Sequence, residues 1–301
     1  MNTNSITKHK KHKKFKKNTV IIYILLVLFS ILIIIPFFYL ISTSFKSLEE
    51  IASGEVNIIP KSNALIDNFK FIFNYEDFHF IRSFLNTAFI FLMKVVGITL
   101  TCSFVGYAFA KFKCKLSNIV FYALLFVMLI PGELMSIPFF QAMVYLDIQH
   151  SSIYIPIWIA AWFGIDITSI FLFKQNFTSL PNELIDAAKI DGCNEFSAFF
   201  RIALPQAIPV ITTVFILNFV GTYNDVYSPT LYINSSMKDM WVVAQSVGVF
   251  EGMFNKGSPD YLIPYNYVAA ATIVSILPVL VFFFIAQKSF VESFVGSSIK
   301  M

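Results

Sequence analysis

The sequence predicts an all-α polytopic membrane protein with six transmembrane helices. Of the 301 residues, 57% are hydrophobic and only 13% are charged, a composition unlike that of a soluble domain. The apolar residues occur in continuous runs, several of which reach the roughly 20 residues that one helical crossing of a bilayer needs. Helices are expected because lipid offers the backbone no hydrogen-bond partners, whereas a β-barrel would show alternating polar and apolar residues.

Six apolar segments are long enough to span the membrane. They are 20–42, 84–110, 118–140, 152–173, 206–228 and 266–288. Together they define a transmembrane domain over residues 20–290, which follows a basic N-terminal segment, residues 1–19, and precedes a tail, residues 291–301. No hydrophobic unit visibly repeats between the two halves, whereas inverted repeats are typical of many ion-coupled secondary carriers.

Seven lysines before the first span set the predicted orientation. They are Lys8, Lys10, Lys11, Lys13, Lys14, Lys16 and Lys17. By the positive-inside rule they lie in the cytoplasm, and six spans return the C-terminus to the same side of the cell membrane. A cleaved signal peptide is the alternative, but the apolar run is about 23 residues long and lacks an A-x-A-like cleavage site. Attraction to anionic headgroups of the lipid bilayer explains the lysines without a nucleic-acid partner.

Patterns for catalysis, metal binding and ATP binding are absent from the sequence. It contains no G-x-x-x-x-G-K-[ST] phosphate loop, so the chain cannot bind and hydrolyse ATP in the P-loop manner. Its four histidines and three cysteines form no H-E-x-x-H or C-x-x-C pattern. We therefore expect no catalytic residue, no metal and no cofactor, and any ATP-driven step must be carried out by another subunit.

A polar insert of residues 181–205, between the fourth and fifth spans, is the most informative segment, and the orientation above places it in the cytoplasm. Pro181 suits the first turn of a helix, and Gly192 suits the left-handed residue that follows a helix. Asn194 is a suitable N-cap for a second amphipathic helix, which Pro205 should end. The insert is therefore predicted to be helix, turn, helix. An interfacial hairpin that merely links two spans is the alternative.

The spacing within the insert resembles the EAA motif of binding-protein-dependent ABC importer permeases. That motif has an acidic residue and two alanines, a glycine four positions on, nine further residues and then I-x-L-P. The chain supplies Asp186, Ala187, Ala188, Gly192, Ile202, Leu204 and Pro205 at those positions. Asp186 stands where the family usually has Glu, which keeps the charge and shortens the side chain by one methylene.

The resemblance extends over nearly the whole chain and narrows the family to carbohydrate-type permeases similar to the smaller membrane subunit of the maltose importer. The matching stretches are residues 36–51, Asn86 with residues 107–111, Pro131 and Pro138, residues 218–229, and residues 277–291. Within the fifth span, Tyr223 replaces the tryptophan of the family's usual Trp-Asn-Asp. In the tail, Ser293 and Ser297 stand where relatives tend to carry glycine.

The resemblance implies the architecture of a type I ABC importer permease. The chain would form half of a pore with a second permease subunit, as a heterodimer, above two ATP-binding ATPase subunits. An extracellular solute-binding lipoprotein would deliver a sugar-type solute, and a sugar, a polyol or a glycerol-phosphate compound all remain open.

The insert would then be the ATPase-coupling loop. The residues assigned to coupling are Glu183, Asp186, Ala187, Ala188, Gly192, Ile202, Leu204 and Pro205. The two alanines, on a face with Leu184 and Asp191, are expected to allow close approach to the ATPase. The acidic side chains are expected to meet basic residues of its groove.

Polar residues in the fifth span are the candidates for the translocation pathway. They are Asn218, Tyr223, Asn224 and Asp225, whose amides, carboxylate and aromatic ring suit sugar hydroxyls and apolar sugar faces. Asn218 and Asn224 are alternatively hydrogen-bond links between helices.

The few charged residues within or near the spans are either functional or structural. They are Lys94, Glu133, Asp166 and Asp225. The alternative functions are an ion-coupled carrier and an intramembrane enzyme. The sequence shows no evident intramembrane charge pair, which a carrier would need. It also shows no nucleophile with a base and no metal cluster, one of which an enzyme would need.

Overall fold

The computed structural model describes residues 17–55, 57–76, 78–112, 114–252 and 264–298. Within these residues all regular secondary structure is helical. Most of the basic N-terminal segment lies outside the described residues, as do Lys113, Lys256 and Lys300.

Fifteen α-helices occur in the described part of the chain. They are α1 (Lys17–Phe45), α2 (Leu48–Ala52), α3 (Leu65–Asn74), α4 (Phe80–Lys111), α5 (Lys115–Val127), α6 (Gly132–Tyr145), α7 (Ile155–Trp158), α8 (Ile167–Ser179), α9 (Asn182–Ile190), α10 (Glu195–Ala198), α11 (Leu204–Gln206), α12 (Ile208–Asn224), α13 (Tyr227–Tyr232), α14 (Val243–Gly252) and α15 (Tyr265–Ser298). A π-helical stretch, Phe199–Ala203, joins α10 to α11, and 3-10 turns lie at Ile159–Phe163 and Lys238–Met240.

The helices confirm an all-α polytopic membrane fold. Four helical stretches are each long and apolar enough to cross a membrane: Ile21–Phe45, Phe80–Lys111, Ile155–Ser179 and Tyr265–Ile285. Two bent pairs also qualify when each is counted as one span. They are α5 with α6, bent by 99°, and Glu195–Gln206 with α12, bent by 73°. The described residues therefore hold up to six spans.

Several helix ends differ from the predicted spans. The predicted third span, 118–140, is broken after Val127 because Pro131 cannot continue a helical hydrogen-bond ladder and disfavours helical geometry in the residue before it. The predicted fifth span, 206–228, ends at Asn224, where the Asp225 carboxylate accepts the Ser228 N–H at 2.9 Å and starts a new helix. The helix of the sixth span runs on to Ser298 and includes most of the predicted tail.

Helices α4 and α8 form the centre of the fold. They approach closely at Gly106, where a Cβ atom would lie 2.7 Å from the Cβ of Phe173 and 2.9 Å from the backbone nitrogen of Lys174. Helix α1 lies at the edge and packs along α15. The large hydrophobic side chains of residues 21–38 are all at least half exposed, as expected for a helix surrounded by lipid.

A buried polar network joins three helices at the end of the molecule that the predicted orientation places outside. The amide of Asn68 in α3 donates to the carbonyl oxygens of Ser44 and Lys46, both at 2.9 Å, and its Oδ1 accepts from Asn266 at 2.9 Å. The buried Lys46 ammonium donates to the Asn57 carbonyl at 2.7 Å. These bonds fix α1, α3 and α15 to one another.

Candidate coupling and translocation sites

The polar insert folds as the predicted helix, turn, helix, and we call residues 181–205 the hairpin. Helix α9 ends in a Schellman motif, in which the Gly192 N–H donates to the Lys189 carbonyl at 3.0 Å and the Cys193 N–H to the Ala188 carbonyl at 2.9 Å. Gly192 has φ +89°, a left-handed conformation that side chains with a Cβ rarely adopt. No atom lies within 4 Å of where its Cβ would be, so the requirement for glycine is conformational.

The second arm of the hairpin begins where the sequence predicts. The Asn194 Oδ1 accepts the Ser197 N–H at 2.8 Å and caps α10. The arm ends later than predicted, because Pro205 lies in the first turn of α11 and the helix continues to Gln206. A salt bridge between Lys189 Nζ and Glu195 Oε1, 2.5 Å long, links the two arms, and this hydrogen bond raises the pKa of Lys189.

One face of α9 packs on the protein and the other is free. Ile185 and Ala188 are buried, whereas Leu184, Asp186, Ala187 and Asp191 are exposed. The expectation that Ala188 shares the free face with Ala187 is therefore wrong, because Ala188 lies one turn from Ile185 and turns inward with it.

The free face extends from Glu183 to Ile190. Ile190 is 88% exposed, so it adds a large apolar side chain to Leu184 and Ala187 beside two acidic residues. A face of this kind is typical of a protein interaction site.

Hydrogen bonds and aromatic packing fix the hairpin to the central helices. The Lys111 ammonium, at the end of α4, donates to the Leu180 carbonyl at 2.8 Å and to Asn182 Oδ1 at 2.9 Å. The buried Phe199 ring packs against Tyr107 of α4 and Phe177 of α8, with ring centroids 5.2 and 6.2 Å apart.

The other predicted coupling residues belong to the same attachment. Ile202 and Leu204 pack against this buried aromatic cluster, and Pro205 is exposed. The sequence offers Lys111 only as a basic residue at a helix end, so its role in holding the hairpin is a finding of the structure.

An ion pair lies inside the membrane domain, although none was expected from the sequence. Lys94 Nζ of α4 is 3.7 Å from Asp225 Oδ2 at the end of α12, and both side chains are only 19% exposed. The expectation that the spans lack a charge pair is therefore wrong. Asp166 has a local role instead, since its carboxylate accepts from the Ser169 N–H and hydroxyl and caps α8.

The four predicted pathway residues do not converge on one surface. Tyr223 is buried and donates its hydroxyl to the Ser275 carbonyl at 2.6 Å, which ties α12 to α15. The Asn218 amide donates to the Val214 carbonyl at 3.0 Å, so within the described residues its hydrogen bond lies inside its own helix. Asp225 is paired with Lys94, and only Asn224 is exposed.

Comparisons with known proteins agree with this fold. The family model described as "Binding-protein-dependent transport system inner membrane component" matches residues 102–293. Protein LplC of Bacillus subtilis (strain 168) is 31% identical over 276 residues, which are 89% of each chain. The diacetylchitobiose uptake system permease protein NgcG of Streptomyces coelicolor is 30% identical, over 88% of this chain and 83% of that protein. The arabinooligosaccharides transport system permease protein AraQ of Bacillus subtilis is 29% identical, over 90% and 92%.

A solved structure shares the architecture. A chain of a bacterial ABC transporter involved in the import of the acidic polysaccharide alginate superposes with a TM-score of 0.73 at 20% sequence identity, covering 91% of this chain and 98% of that one. A second crystal structure, of a bacterial alginate ABC transporter in complex with a periplasmic protein that holds an alginate pentasaccharide, superposes with a TM-score of 0.59 at 15% identity. This superposition covers 89% of this chain and 89% of that one.

Proposed function

The chain belongs to the family of binding-protein-dependent transport system inner membrane components, and we propose that it forms half of the translocation pore of an ATP-driven sugar importer. It is a multi-pass permease subunit, not an enzyme, and it acts with a binding protein and partner subunits. The carbohydrates in the names of several relatives support a sugar or oligosaccharide as the solute. These relatives give no support to an ion-coupled secondary carrier.

The observation that carries the proposal is the free face of a firmly anchored hairpin. Leu184, Ala187 and Ile190 present an apolar surface with Glu183 and Asp186 at its edge, on a helix whose other face is buried. A groove on an ATPase subunit that combines apolar and basic residues fits this surface.

The proposed orientation places the hairpin and both chain termini in the cytoplasm. Its support is the basic residues that gather at the hairpin end of the fold, namely Lys111, Lys115, Lys174, Lys189 and Arg201. The proposed assembly has a second, different permease subunit, two ATPase subunits below the hairpins and a solute-binding lipoprotein outside.

The mechanism follows from how the hairpin is attached. Helix α9 has nine residues and is about 13 Å long, and its own backbone hydrogen bonds keep it stiff. Movement of the ATPase would shift α9 as a rigid body, and the bonds from Lys111 and the packing of Phe199 would pass that shift to α4 and α8. ATP binding drives alternating access only if the ATPase contacts the hairpin differently in the two states of the pore.

The test compares two exposed isoleucines on short helices at opposite ends of the molecule. Ile190→Asp places a charge on the free face of α9, and Ile66→Asp does the same on α3, where Ile66 is 67% exposed. In the complete importer, Ile190→Asp is expected to lose most ATPase co-purification and ATP-driven uptake, whereas Ile66→Asp keeps the ATPase bound. Normal co-purification and uptake in Ile190→Asp would overturn the coupling role of the hairpin.

A further inference from the structure

We propose that the solute is contacted by Tyr227, Ser136 and Glu133, at the point where the bend between α5 and α6 meets the interruption between α12 and α13. This inference rests on the proposed function of sugar import. In this proposal, the solute contacts these three side chains instead of the buried Tyr223 and the paired Asp225 of the fifth span.

The first break lies between α5 and α6, which are bent by 99° at residues 128–131. Glu133 lies in the first turn of α6 and is exposed. One turn further along, Ser136 donates its hydroxyl to the Glu133 carbonyl at 2.6 Å. The break therefore brings a carboxylate and a hydroxyl to one helix end.

The second break lies between α12 and α13, at Asp225 and Val226. Asp225 holds it in shape by pairing with Lys94 and by accepting the Ser228 N–H. Tyr227 begins α13 directly after the break, and its side chain is 47% exposed. The break therefore turns an aromatic side chain outward.

A hydrogen bond joins the two breaks. The hydroxyl groups of Ser136 and Tyr227 are 2.9 Å apart, although the residues belong to different spans. Measured along their own axes, the 17 residues of α12 and the 13 residues of α5 extend about 25 and 20 Å from the hairpin side to the breaks. A bilayer measures about 40–45 Å with its headgroups, so helices that enter it from the hairpin side are expected to reach its interior at these breaks.

Such a surface does not suit lipid. Broken backbone and charged side chains at this depth occur where they are buried in protein or line water, because hydrocarbon leaves their polar groups unsatisfied. Among the described residues, no salt bridge includes Glu133. An exposed carboxylate of this kind is therefore expected to face a water-filled route.

The chemistry of the three side chains matches a sugar. The Tyr227 ring can stack on the apolar face of a pyranose or furanose ring, and its hydroxyl can bond to the sugar. Ser136 donates and accepts hydrogen bonds, and the Glu133 carboxylate accepts them from sugar hydroxyls. A few convergent polar groups beside an aromatic side chain are typical of small-molecule sites.

The first experiment tests whether the surface formed by Glu133, Ser136 and Tyr227 is accessible to water in the assembled importer. The native Cys102, Cys114 and Cys193 are replaced by alanine, and single cysteines are introduced as Ser136→Cys and Tyr227→Cys. Lipid-facing Leu32→Cys in α1 and loop-exposed Ser235→Cys are the matched controls. The complex with its second permease, ATPase and binding protein is placed in proteoliposomes and treated with a charged, water-soluble methanethiosulfonate, with and without ATP.

Both test cysteines are expected to react about tenfold or more faster than Leu32→Cys in at least one of the two conditions, because only a water-filled route admits the charged reagent. Reaction no faster than that of Leu32→Cys would overturn the proposal by showing that lipid or the partner permease covers the surface. ATP-driven uptake by the cysteine-free parent is measured in the same vesicles, so a failure of the import function itself is seen separately.

The second experiment asks whether solute reaches the surface. Diacetylchitobiose and an arabinooligosaccharide, the sugars in the names of two relatives, are supplied with the binding protein, and the sugar that the vesicles accumulate is used as the probe. Loaded binding protein is expected to slow labelling of Tyr227→Cys by about threefold or more relative to unloaded binding protein, since a bound ligand buries most of its surface. Labelling that sugar leaves unchanged would overturn the assignment of Tyr227 as a solute contact.

Discussion

The hairpin and the break at the end of α12 each contain an ion pair, but in different surroundings. On the hairpin, Lys189 and Glu195 are 42% and 46% exposed, so water screens their attraction. At the break, Lys94 and Asp225 are both 19% exposed and lie within the membrane domain. A partner left alone there would be an uncompensated buried charge. The two pairs are therefore expected to contribute very differently to stability. The hairpin is held by backbone geometry and aromatic packing, whereas the break is held by its charges.

The largest expected effect comes from removing one partner of the membrane pair. Lys94→Met leaves Asp225 unpaired and is expected to destabilise the fold by about 3–5 kcal/mol, because the remaining carboxylate is desolvated. The double variant Lys94→Met with Asp225→Asn removes both charges and keeps a side-chain oxygen that can accept the Ser228 N–H, so it should recover most of the loss. Thermal unfolding of the purified complex measures the stability of the single variant and of the double variant. Equal stability of Lys94→Met and the native chain would mean that the pair contributes nothing.

An intermediate effect is expected at the turn of the hairpin. Gly192→Val forces a β-branched residue into a left-handed conformation, at a cost of about 1–2 kcal/mol, and should loosen the ATPase and reduce uptake. Gly192→Asn is the matched control, because asparagine tolerates this conformation. The two variants are compared by ATPase co-purification and vesicle uptake. If Gly192→Val performs as well as Gly192→Asn, the geometry of the turn is not needed for coupling.

The smallest effect is expected from the exposed pair of the hairpin. Lys189→Ala and Glu195→Ala should each change the unfolding free energy by less than about 1 kcal/mol, since both side chains are close to half exposed. Repeating the measurement in high salt should change the native chain little. A loss of unfolding free energy as large as that of Lys94→Met would show that the exposed pair stabilises the fold as much as the membrane pair does.

The same contrast explains what the sequence could predict. The hairpin is specified by local signals, a glycine after one helix and an asparagine before the next, and these set backbone geometry regardless of the rest of the fold. The break of the third span at Pro131 is likewise a local effect, since proline cannot continue a helical hydrogen-bond ladder.

The other features depend on tertiary packing. Lys94 and Asp225 come from separate spans, and nothing near either residue indicates its partner. The inward turn of Ala188 and the burial of Tyr223 likewise depend on which neighbouring helix lies against them. Residue types alone therefore identified polar positions in the membrane without showing which of them face water.

The central claim is that the free face of α9 receives an ATPase subunit. Hydrogen exchange of the permease pair with and without its ATPase tests it most directly, because docking should slow exchange of the amides in residues 182–206. Helix α3, at the opposite end, serves as the internal reference and should not change. Slower exchange confined to the hairpin is the predicted result, and unchanged exchange there, with the ATPase bound, would contradict the claim.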